Sequence, residues 1–178
     1  MACPNHQTAR KMHETQLAQS QVALLIEELT ILVADSNQHM RKTTRMMLTN
    51  IGAKSIYEVD DGVAALEAIR TLDPDVLILD WSIPVLTAPE MMRIIRSPGV
   101  FPKASLPVIM VTERGTRTRV QESIRLGAHE LLVKPMSPKA LQHRLVNIFL
   151  AQRPMVRTGK FYIPQPRRQV DWALIEGA

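Results

Sequence analysis

The sequence predicts an α/β protein in which helices cover both faces of a parallel sheet. From Thr30 to Leu150, short apolar runs alternate with amphipathic stretches of helical period. Most of these runs are apolar at nearly every position, as expected of strands with two buried faces. At 178 residues the chain has room for one such domain with a sizeable core, plus short extensions.

Five apolar runs are the predicted strands. Each is short, and together they are rich in valine, isoleucine and leucine, which suit the buried centre of a sheet. In chain order the predicted strands are Leu29 to Ala34, Lys54 to Glu58, Val76 to Leu79, Val108 to Val111, and Leu131 to Val133.

Five helices are predicted to follow the strands, one after each. The first, Gln38 to Thr49, is followed by Gly52, a residue suited to the left-handed conformation past a helix end. The second follows Asp60-Asp61-Gly62. The third begins with Thr87-Ala88-Pro89-Glu90, which has the cap, the proline and the glutamate of a capping box. The fourth lies among the arginines of residues 114–125, and the fifth begins at Ser137-Pro138.

Two extensions flank this domain, which we place at residues 30–150. Residues 1–29 form an N-terminal extension with a possible helix from His13 to Glu28, whose apolar side chains recur at helical spacing. Such a helix would dock on the domain, pair with a second copy of the chain, or stay disordered, and the sequence leaves these alternatives open. Residues 151–178 form a basic C-terminal tail that contains aromatic residues.

Composition excludes several classes of protein. No apolar run reaches the roughly 18 residues needed to span a membrane, and the N-terminus lacks the apolar segment of a signal peptide, so we expect a cytoplasmic protein. The single cysteine, Cys3, excludes an internal disulfide. The 28 residues after Leu150 are too few to form a DNA-binding domain with its own core.

Polar side chains are expected to meet at one edge of the sheet. Asp35 follows the first predicted strand, Asp80 the third and Lys134 the fifth, while Thr112 follows the fourth. In an open parallel sheet the crevice beyond the carboxyl ends of the strands is where ligands bind. These four residues are therefore the candidate site.

Five segments of the sequence resemble the successive motifs of a CheY-like response-regulator receiver domain. The resemblance covers roughly residues 30–150, in order and at matching separations, and it implies the flavodoxin-like strand order 2-1-3-4-5, for which the family is a standard example. The segments are ILVADSNQHMRK, YEVDDGVAALEAI, DVLILDWSIP, LPVIMVTERG and LGAHELLVKP.

The resemblance implies a role for each residue of the candidate site. Asp80 would accept a phosphoryl group from a histidine kinase, a phosphotransfer protein or a small phosphodonor, without turnover of a substrate. Lys134 would pair with the phosphoryl oxygens, Thr112 would donate a hydrogen bond to them, and the Lys134-Pro135 bond would be cis. Mg²⁺ would be held by Asp35, Asp80 and the backbone carbonyl of Ser82. A hard cation and a lysine supply the charge neutralisation that phosphoryl transfer requires.

Two residues depart from the family pattern. Ser36 stands where a second acid is usual, and a hydroxyl is a poorer ligand than a carboxylate, so Mg²⁺ binding should weaken by about 1–2 kcal/mol. Leu131 replaces the usual aromatic residue that couples phosphorylation to output. A degenerate receiver that keeps the fold without being phosphorylated is therefore an alternative.

The tail carries about three of the five net positive charges of the chain. Its basic and aromatic residues suit a nucleotide, because arginine grips phosphate and guanine edges and stacks on bases as aromatic rings do. The segment FYIPQPRRQVDW also resembles the arginine-rich extension of the Cle group, CheY-like proteins that bind cyclic di-GMP and act at the flagellar motor. The candidate ligand-binding residues are Arg167, Arg168, Arg157, Arg153, Tyr162 and Trp172.

Two other hypotheses for the tail remain open. In the first, phosphorylation is the sole input, and the groove of a partner protein takes up Val170, Trp172, Leu174 and Ile175 while the arginines only steer. In the second, the basic residues bind nucleic acid or an anionic membrane without specificity, which should be weak at physiological salt.

Overall fold

The computed structural model describes residues 20–165 and contains a five-stranded parallel sheet in the order β2-β1-β3-β4-β5. The predicted strand order is confirmed, and each strand begins and ends within one residue of its predicted position. The strands are β1 (Thr30–Ala34), β2 (Ser55–Val59), β3 (Val76–Asp80), β4 (Val108–Thr112) and β5 (Glu130–Val133).

Helices follow each of these strands, and most begin at a polar cap. The side chain of Asn37 accepts hydrogen bonds from two amides of α2, Thr87 and Glu90 form the predicted capping box of α4, and Ser137 caps α6. The helices are α1 (described over residues 20–28), α2 (Gln38–Asn50), α3 (Gly62–Leu72), α4 (Ala88–Ile95), α5 (Arg117–Arg125) and α6 (Pro138–Leu150). Within residues 20–165, none of them is long and apolar enough to cross a lipid bilayer.

Two apolar cores lie on opposite faces of the sheet. On one face, Leu32, Leu77 and Leu79 pack against α3 and α4. On the other face, Ile31 and Ile109 pack against α2 and α6. Successive strand residues point to opposite faces, so each central strand contributes to both cores, which explains its continuous apolar sequence.

The N-terminal extension docks on the domain where the structure describes it. Ile26 and Leu29 are buried in the core beneath α2 and α6, and Val22 and Leu25 pack against that core from α1. Of the three alternatives for this helix, residues 20–28 therefore show docking on the domain. The first part of the predicted helix, from His13, lies outside the described residues.

The first part of the tail forms a β-hairpin, which the sequence analysis did not predict. Strand β6 (Met155–Thr158) pairs with antiparallel strand β7 (Phe161–Pro164) across a Gly-Lys turn. Gly159 has a φ of 62° at the first turn position, a conformation that glycine adopts without steric cost. Three of the six candidate ligand-binding residues, Arg167, Arg168 and Trp172, lie outside the described residues.

Candidate functional site

The four predicted site residues come together at the carboxyl edge of the sheet. Asp80 and Thr112 are the last residues of β3 and β4, and Asp35 and Lys134 directly follow β1 and β5. Asp35, Asp80 and Thr112 are each less than a tenth exposed. The Lys134-Pro135 peptide bond is cis, as predicted.

Lys134 bridges the two buried carboxylates. Its ammonium nitrogen lies 2.6 Å from Asp80 Oδ1 and 2.9 Å from Asp35 Oδ2. Burial acts to lower the pKa of Lys134, but the hydrogen bonds and negative charges of Asp35 and Asp80 outweigh it, and the pKa lies above its usual value. The ammonium group therefore stays charged and offsets the repulsion between the carboxylates.

Backbone amides hold the other two carboxylate oxygens. The N–H of Asn37 donates to Asp35 Oδ1 at 2.8 Å, and the N–H of Ser82 donates to Asp80 Oδ2 at 2.9 Å. Both bonds span two residues, so the turn after each strand fixes the orientation of its own carboxylate. The hydroxyl oxygen of Thr112 accepts in the same way from the N–H of Arg114 at 3.2 Å.

The donor set suits a small hard cation. Two carboxylates face one another, and their oxygens are pure acceptors that keep further lone pairs beyond the contacts described above. Mg²⁺ in proteins typically takes one or two carboxylates and completes its shell with water and phosphate oxygens. Among residues 20–165 there is no cluster of three or more acidic, histidine or cysteine side chains that could hold a metal. Ser36, where the family has a second acid, is exposed.

Arg41 supports the site and was not singled out from the sequence. Its guanidinium donates to the carbonyl oxygens of Asp35 and Ser36 at 2.7 and 3.1 Å, and it lies 3.7 Å from Glu58. These contacts hold the turn between β1 and α2. In sequence, Arg41 is one of several cations on an amphipathic helix, a pattern that by itself indicates only a solvated face.

A second cation lies beside the phosphoacceptor candidate. The guanidinium carbon of Arg119 is 3.9 Å from the centre of the ring of Trp81, the residue after Asp80. Arg119 also pairs with Glu122 at 3.3 Å. One member of the arginine cluster around α5 is therefore held by a cation–π contact instead of simply facing solvent.

The turn after Asp80 is strained. Val85 is a β-branched residue with a φ of 69°, and the N–H of Leu86 donates to the carbonyl of Pro84 at 2.8 Å. These features are those of a γ-turn with a positive φ, a conformation that costs about 1–3 kcal/mol and persists only where neighbouring contacts enforce it. The side chain of Val85 is 77% exposed, so its own packing does not offset this cost.

The tail hairpin is anchored at the opposite edge of the sheet, about one strand length or roughly 15 Å from Asp80. The N–H of Tyr162 donates to the carbonyl of Arg96 at 2.9 Å, and the guanidinium of Arg153 donates to the carbonyl of His129. A Cβ on Gly127 would lie 3.1 Å from a methyl carbon of Ile163. The hairpin therefore lies so close to the backbone of Gly127 that a side chain at this position would crowd Ile163.

The contacts that hold the hairpin on the domain, which we call the anchor, are centred on Arg96, the residue directly after α4. It is only 1% exposed, and its guanidinium donates to the carbonyl oxygens of Gly127, Ala104 and Leu106 at 2.8 to 3.0 Å. Burial lowers its pKa to about 9, which still leaves it charged at neutral pH. The neighbouring imidazole of His129 accepts a hydrogen bond from the N–H of Val108 at 3.2 Å.

The family of the chain follows from a comparison with known proteins. The family model described as the response regulator receiver domain matches residues 31–146. The chain belongs to this family. The receiver is 30% identical to the chemotaxis protein CheY1 of Helicobacter pylori over 118 residues, which are 66% of this chain and 94% of that protein. It is 30% identical to the chemotaxis protein CheY of Pseudomonas aeruginosa over 121 residues, 68% of this chain and 96% of that protein.

Solved structures agree with the fold of this receiver. The chemotaxis response regulator CheY4 of Vibrio cholerae is 27% identical, with a TM-score of 0.60 over 67% of this chain and 97% of that one. The receiver domain of the sensor histidine kinase PA1611 of Pseudomonas aeruginosa, 23% identical, has a TM-score of 0.60 over 67% of this chain and 95% of that one. That structure has a magnesium ion coordinated in its active-site cleft.

His129 should make the receiver sensitive to acid. Burial, followed by the charges of Arg96 and Arg153, lowers the pKa of His129 from 6.5 to about 3. Below about pH 6.5 the unfolded chain therefore binds a proton that the folded chain does not, and stability falls as the pH drops towards 3. Between pH 7 and pH 5 the free energy of unfolding should fall less steeply in His129→Asn than in the parent. We expect the difference to reach up to about 1.4 kcal/mol per pH unit.

Urea unfolding at several pH values measures this effect. His143→Asn, at an exposed histidine of α6, is the matched control and should follow the parent. If the parent and the His129 variant lose stability equally, the imidazole is not kept neutral by its surroundings.

Proposed function

We propose that the protein is a bacterial response regulator that accepts a phosphoryl group on Asp80, acting in the cytoplasm. The observation that carries this proposal is the ammonium of Lys134, 2.6 Å from Asp80 and 2.9 Å from Asp35 in a nearly buried pocket. An ion pair of this kind supplies the fixed positive charge that a transferred phosphoryl group requires. The phosphodonor would be a histidine kinase, a phosphotransfer protein or a small acyl phosphate.

In the proposed reaction a carboxylate oxygen of Asp80 attacks the phosphorus of a phosphohistidine. The new O–P bond forms as the P–N bond breaks, and the leaving imidazole takes up a proton. Lys134 would neutralise the equatorial phosphoryl oxygens. Thr112 accepts a hydrogen bond from the N–H of Arg114, which leaves the hydrogen of its own hydroxyl for donation to the phosphoryl group. The regulator modifies itself and turns over no substrate.

The same pocket would hold Mg²⁺ through Asp35, Asp80 and the carbonyl of Ser82. When bound, the cation would neutralise charge on the phosphoryl oxygens. The two acceptor-only carboxylates support this assignment. Ser36 supplies no second acid beside Asp35, so we expect the metal to bind more weakly than at a three-carboxylate site.

We further propose that the tail binds cyclic di-GMP and thereby controls docking to a protein such as the flagellar motor switch. Arg157 and Tyr162 support this hypothesis, because they are directly paired across the hairpin and so share one face. An arginine beside an aromatic ring offers both a phosphate or guanine contact and a stacking surface. Arg157 donates through Nε to the carbonyl of Gly159 at 3.2 Å, and Arg153 donates to the carbonyl of His129. The proposed site also includes Arg167, Arg168 and Trp172, which lie outside the described residues and are assigned to it from the sequence.

Among the carboxylates of the chain, only Asp80 should accept the phosphoryl group. We expect the parent to gain the mass of one phosphoryl group with acetyl phosphate and Mg²⁺, measured by intact mass spectrometry. Asp80→Asn keeps the shape of the side chain but removes the nucleophilic carboxylate, so this variant should gain none. Asp73→Asn, the same change at an exposed aspartate just before β3, is the control and should be phosphorylated like the parent. Equal labelling of the parent and Asp80→Asn, or no labelling of either, would reject Asp80 as the phosphoacceptor.

Cyclic di-GMP binding should depend on the arginines of the tail. Calorimetric titration of the full chain should show micromolar or tighter binding, and the double variant Arg167→Ala/Arg168→Ala should abolish it. Lys160→Ala, at the exposed hairpin turn, is the control for loss of one positive charge. Unchanged affinity in the double variant would remove these arginines from the site. No binding by the parent would favour the protein-docking hypothesis, and binding that collapses with salt would favour a nonspecific anion site.

A further inference from the structure

Strand β6 has an open outer edge. The N–H of Tyr162 donates to the carbonyl of Arg96, so the backbone groups of Tyr162 point away from β6. In an antiparallel pair, directly opposite residues either exchange both hydrogen bonds or exchange none. Arg157, which is opposite Tyr162, therefore points its own N–H and carbonyl away from β7, and Met155, two residues earlier, does the same. Among residues 20–165, no third strand pairs with this edge.

The open edge of β6 faces away from the domain. Strand β7 is bonded to Arg96 along one side, and β6 lies about 4.8 Å further out on the opposite side of the two-stranded ribbon. Arg157 and Thr158 of β6 are exposed. The edge also lies beyond residue 146, where the match to the receiver family ends, so it is a feature of the tail. A second large molecule can therefore approach it.

This edge is complementary to a second copy of itself. If two β6 strands meet antiparallel about a two-fold axis at Val156, Met155 of each copy is opposite Arg157 of the other. The N–H and carbonyl of these residues point outward, so each of the two pairs exchanges two hydrogen bonds. The two Val156 side chains then lie directly opposite each other at the axis. Strand pairing of this kind leaves no outward-pointing group of Met155 or Arg157 without a partner.

Charge and area oppose this pairing in the absence of a ligand. The two Arg157 side chains would lie diagonally on one face of the joined sheet, with their Cβ atoms about 7–8 Å apart. Each chain also carries a formal net charge of +5, so two copies repel each other. Strands of four residues bury far less than the roughly 1,200 Å² of a stable interface. An anion between the two arginines would remove the repulsion and add contact area.

We propose that cyclic di-GMP binds between two copies of the chain whose β6 strands pair. The ligand has two guanines and two phosphates related by two-fold symmetry, whereas one hairpin offers a single arginine beside a single ring, Arg157 and Tyr162. Pairing about Val156 doubles this set and gives the site the symmetry of the ligand. In each copy Arg157 contacts a phosphate or a guanine edge, and Tyr162 offers a stacking surface.

This inference rests on the proposed function of the tail, because it assigns a second copy of the chain to the same ligand site. It does not depend on phosphorylation of Asp80. It requires one ligand for every two chains. If Arg167, Arg168 and Trp172 of the same chain instead supply the second half of the site, one ligand binds one chain and no dimer forms.

Sedimentation velocity and calorimetry of the full chain test the stoichiometry. Without nucleotide we expect a monomer of 20.1 kDa, and with saturating cyclic di-GMP we expect that mass to double. The calorimetric titration should saturate at one nucleotide for two chains. GMP is the control, because it carries one guanine and one phosphate and cannot bridge two copies, so it should leave the mass unchanged.

Disulfide cross-linking tests whether β6 is the surface that pairs. In a Cys3→Ser background, which removes the only native cysteine, Val156→Cys places a thiol at the proposed axis. Directly opposite Cβ atoms in such a pair are about 4.5–5.5 Å apart, close enough for a disulfide after a small adjustment. Cyclic di-GMP with a mild oxidant should therefore give linked dimers. Thr158→Cys, on the same face but about 13 Å from its counterpart along the strands, is the matched control and should give few.

The outcomes separate this inference from the proposed function. If cyclic di-GMP binds and the chain stays monomeric, the shared site is wrong and the tail remains a nucleotide site within one chain. If a dimer forms but Val156→Cys links no better than Thr158→Cys, the pairing of β6 is wrong. A dimer that forms equally without nucleotide would overturn the role of the ligand as the bridge. If cyclic di-GMP does not bind the parent, the proposed function of the tail is wrong and this inference fails with it.

Discussion

The contact of one ammonium group with two carboxylates is the interaction on which the site depends. Asp35 and Asp80 are both nearly buried, and two such carboxylates repel each other strongly without a compensating charge. Lys134, which follows the outermost strand β5, supplies that charge through hydrogen bonds to both side chains. The strand order makes this possible, because β1 and β3 are neighbours and β5 ends at the same edge.

The anchor of the tail is stabilised by a different kind of electrostatic interaction. Arg96 is a buried cation that bonds backbone carbonyls, and the described contacts of its guanidinium include no carboxylate. Buried charges persist when their hydrogen bonds are satisfied, and three carbonyl dipoles satisfy most of the donors here. The neutral imidazole of His129 fits beside two guanidinium groups for the same reason. The hairpin is therefore held by polar contacts at the edge of the sheet remote from Asp80.

The sequence predicts the sheet and the pocket well because both follow from local patterns. Apolar runs mark the strands, and a polar residue at the end of a run, such as Asp80 or Lys134, is placed at the edge by the topology alone. The anchor could not be predicted in this way. Arg96 lies at the end of an amphipathic helix, where an arginine usually faces water, and its partners at Ala104 and Gly127 are backbone groups that leave no trace in the side-chain pattern.

The tail shows a second limit of sequence patterns. The Gly-Lys turn between Val156 and Ile163 is a recognisable hairpin signal, since glycine at the first position of a two-residue turn matches the twist of the strands. Its strands are only four residues long, and Arg157 and Pro164 interrupt the apolar pattern. Their docking depends on contacts with residues far away in the chain, among them the hydrogen bond from the N–H of Tyr162 to the carbonyl of Arg96 and the hydrogen bond from Arg153 to the carbonyl of His129.

The metal affinity of Lys134→Met, measured by Mn²⁺ titration with electron paramagnetic resonance, tests most directly whether the lysine neutralises the two carboxylates. If the ammonium group neutralises Asp35 and Asp80, its removal leaves two uncompensated carboxylates, and Mn²⁺ should bind about tenfold or more tightly. Lys139→Met, on α6, is the matched control. Unchanged or weaker Mn²⁺ binding by a folded Lys134→Met would show that the lysine and the metal do not share these carboxylates, and would contradict the proposed pocket.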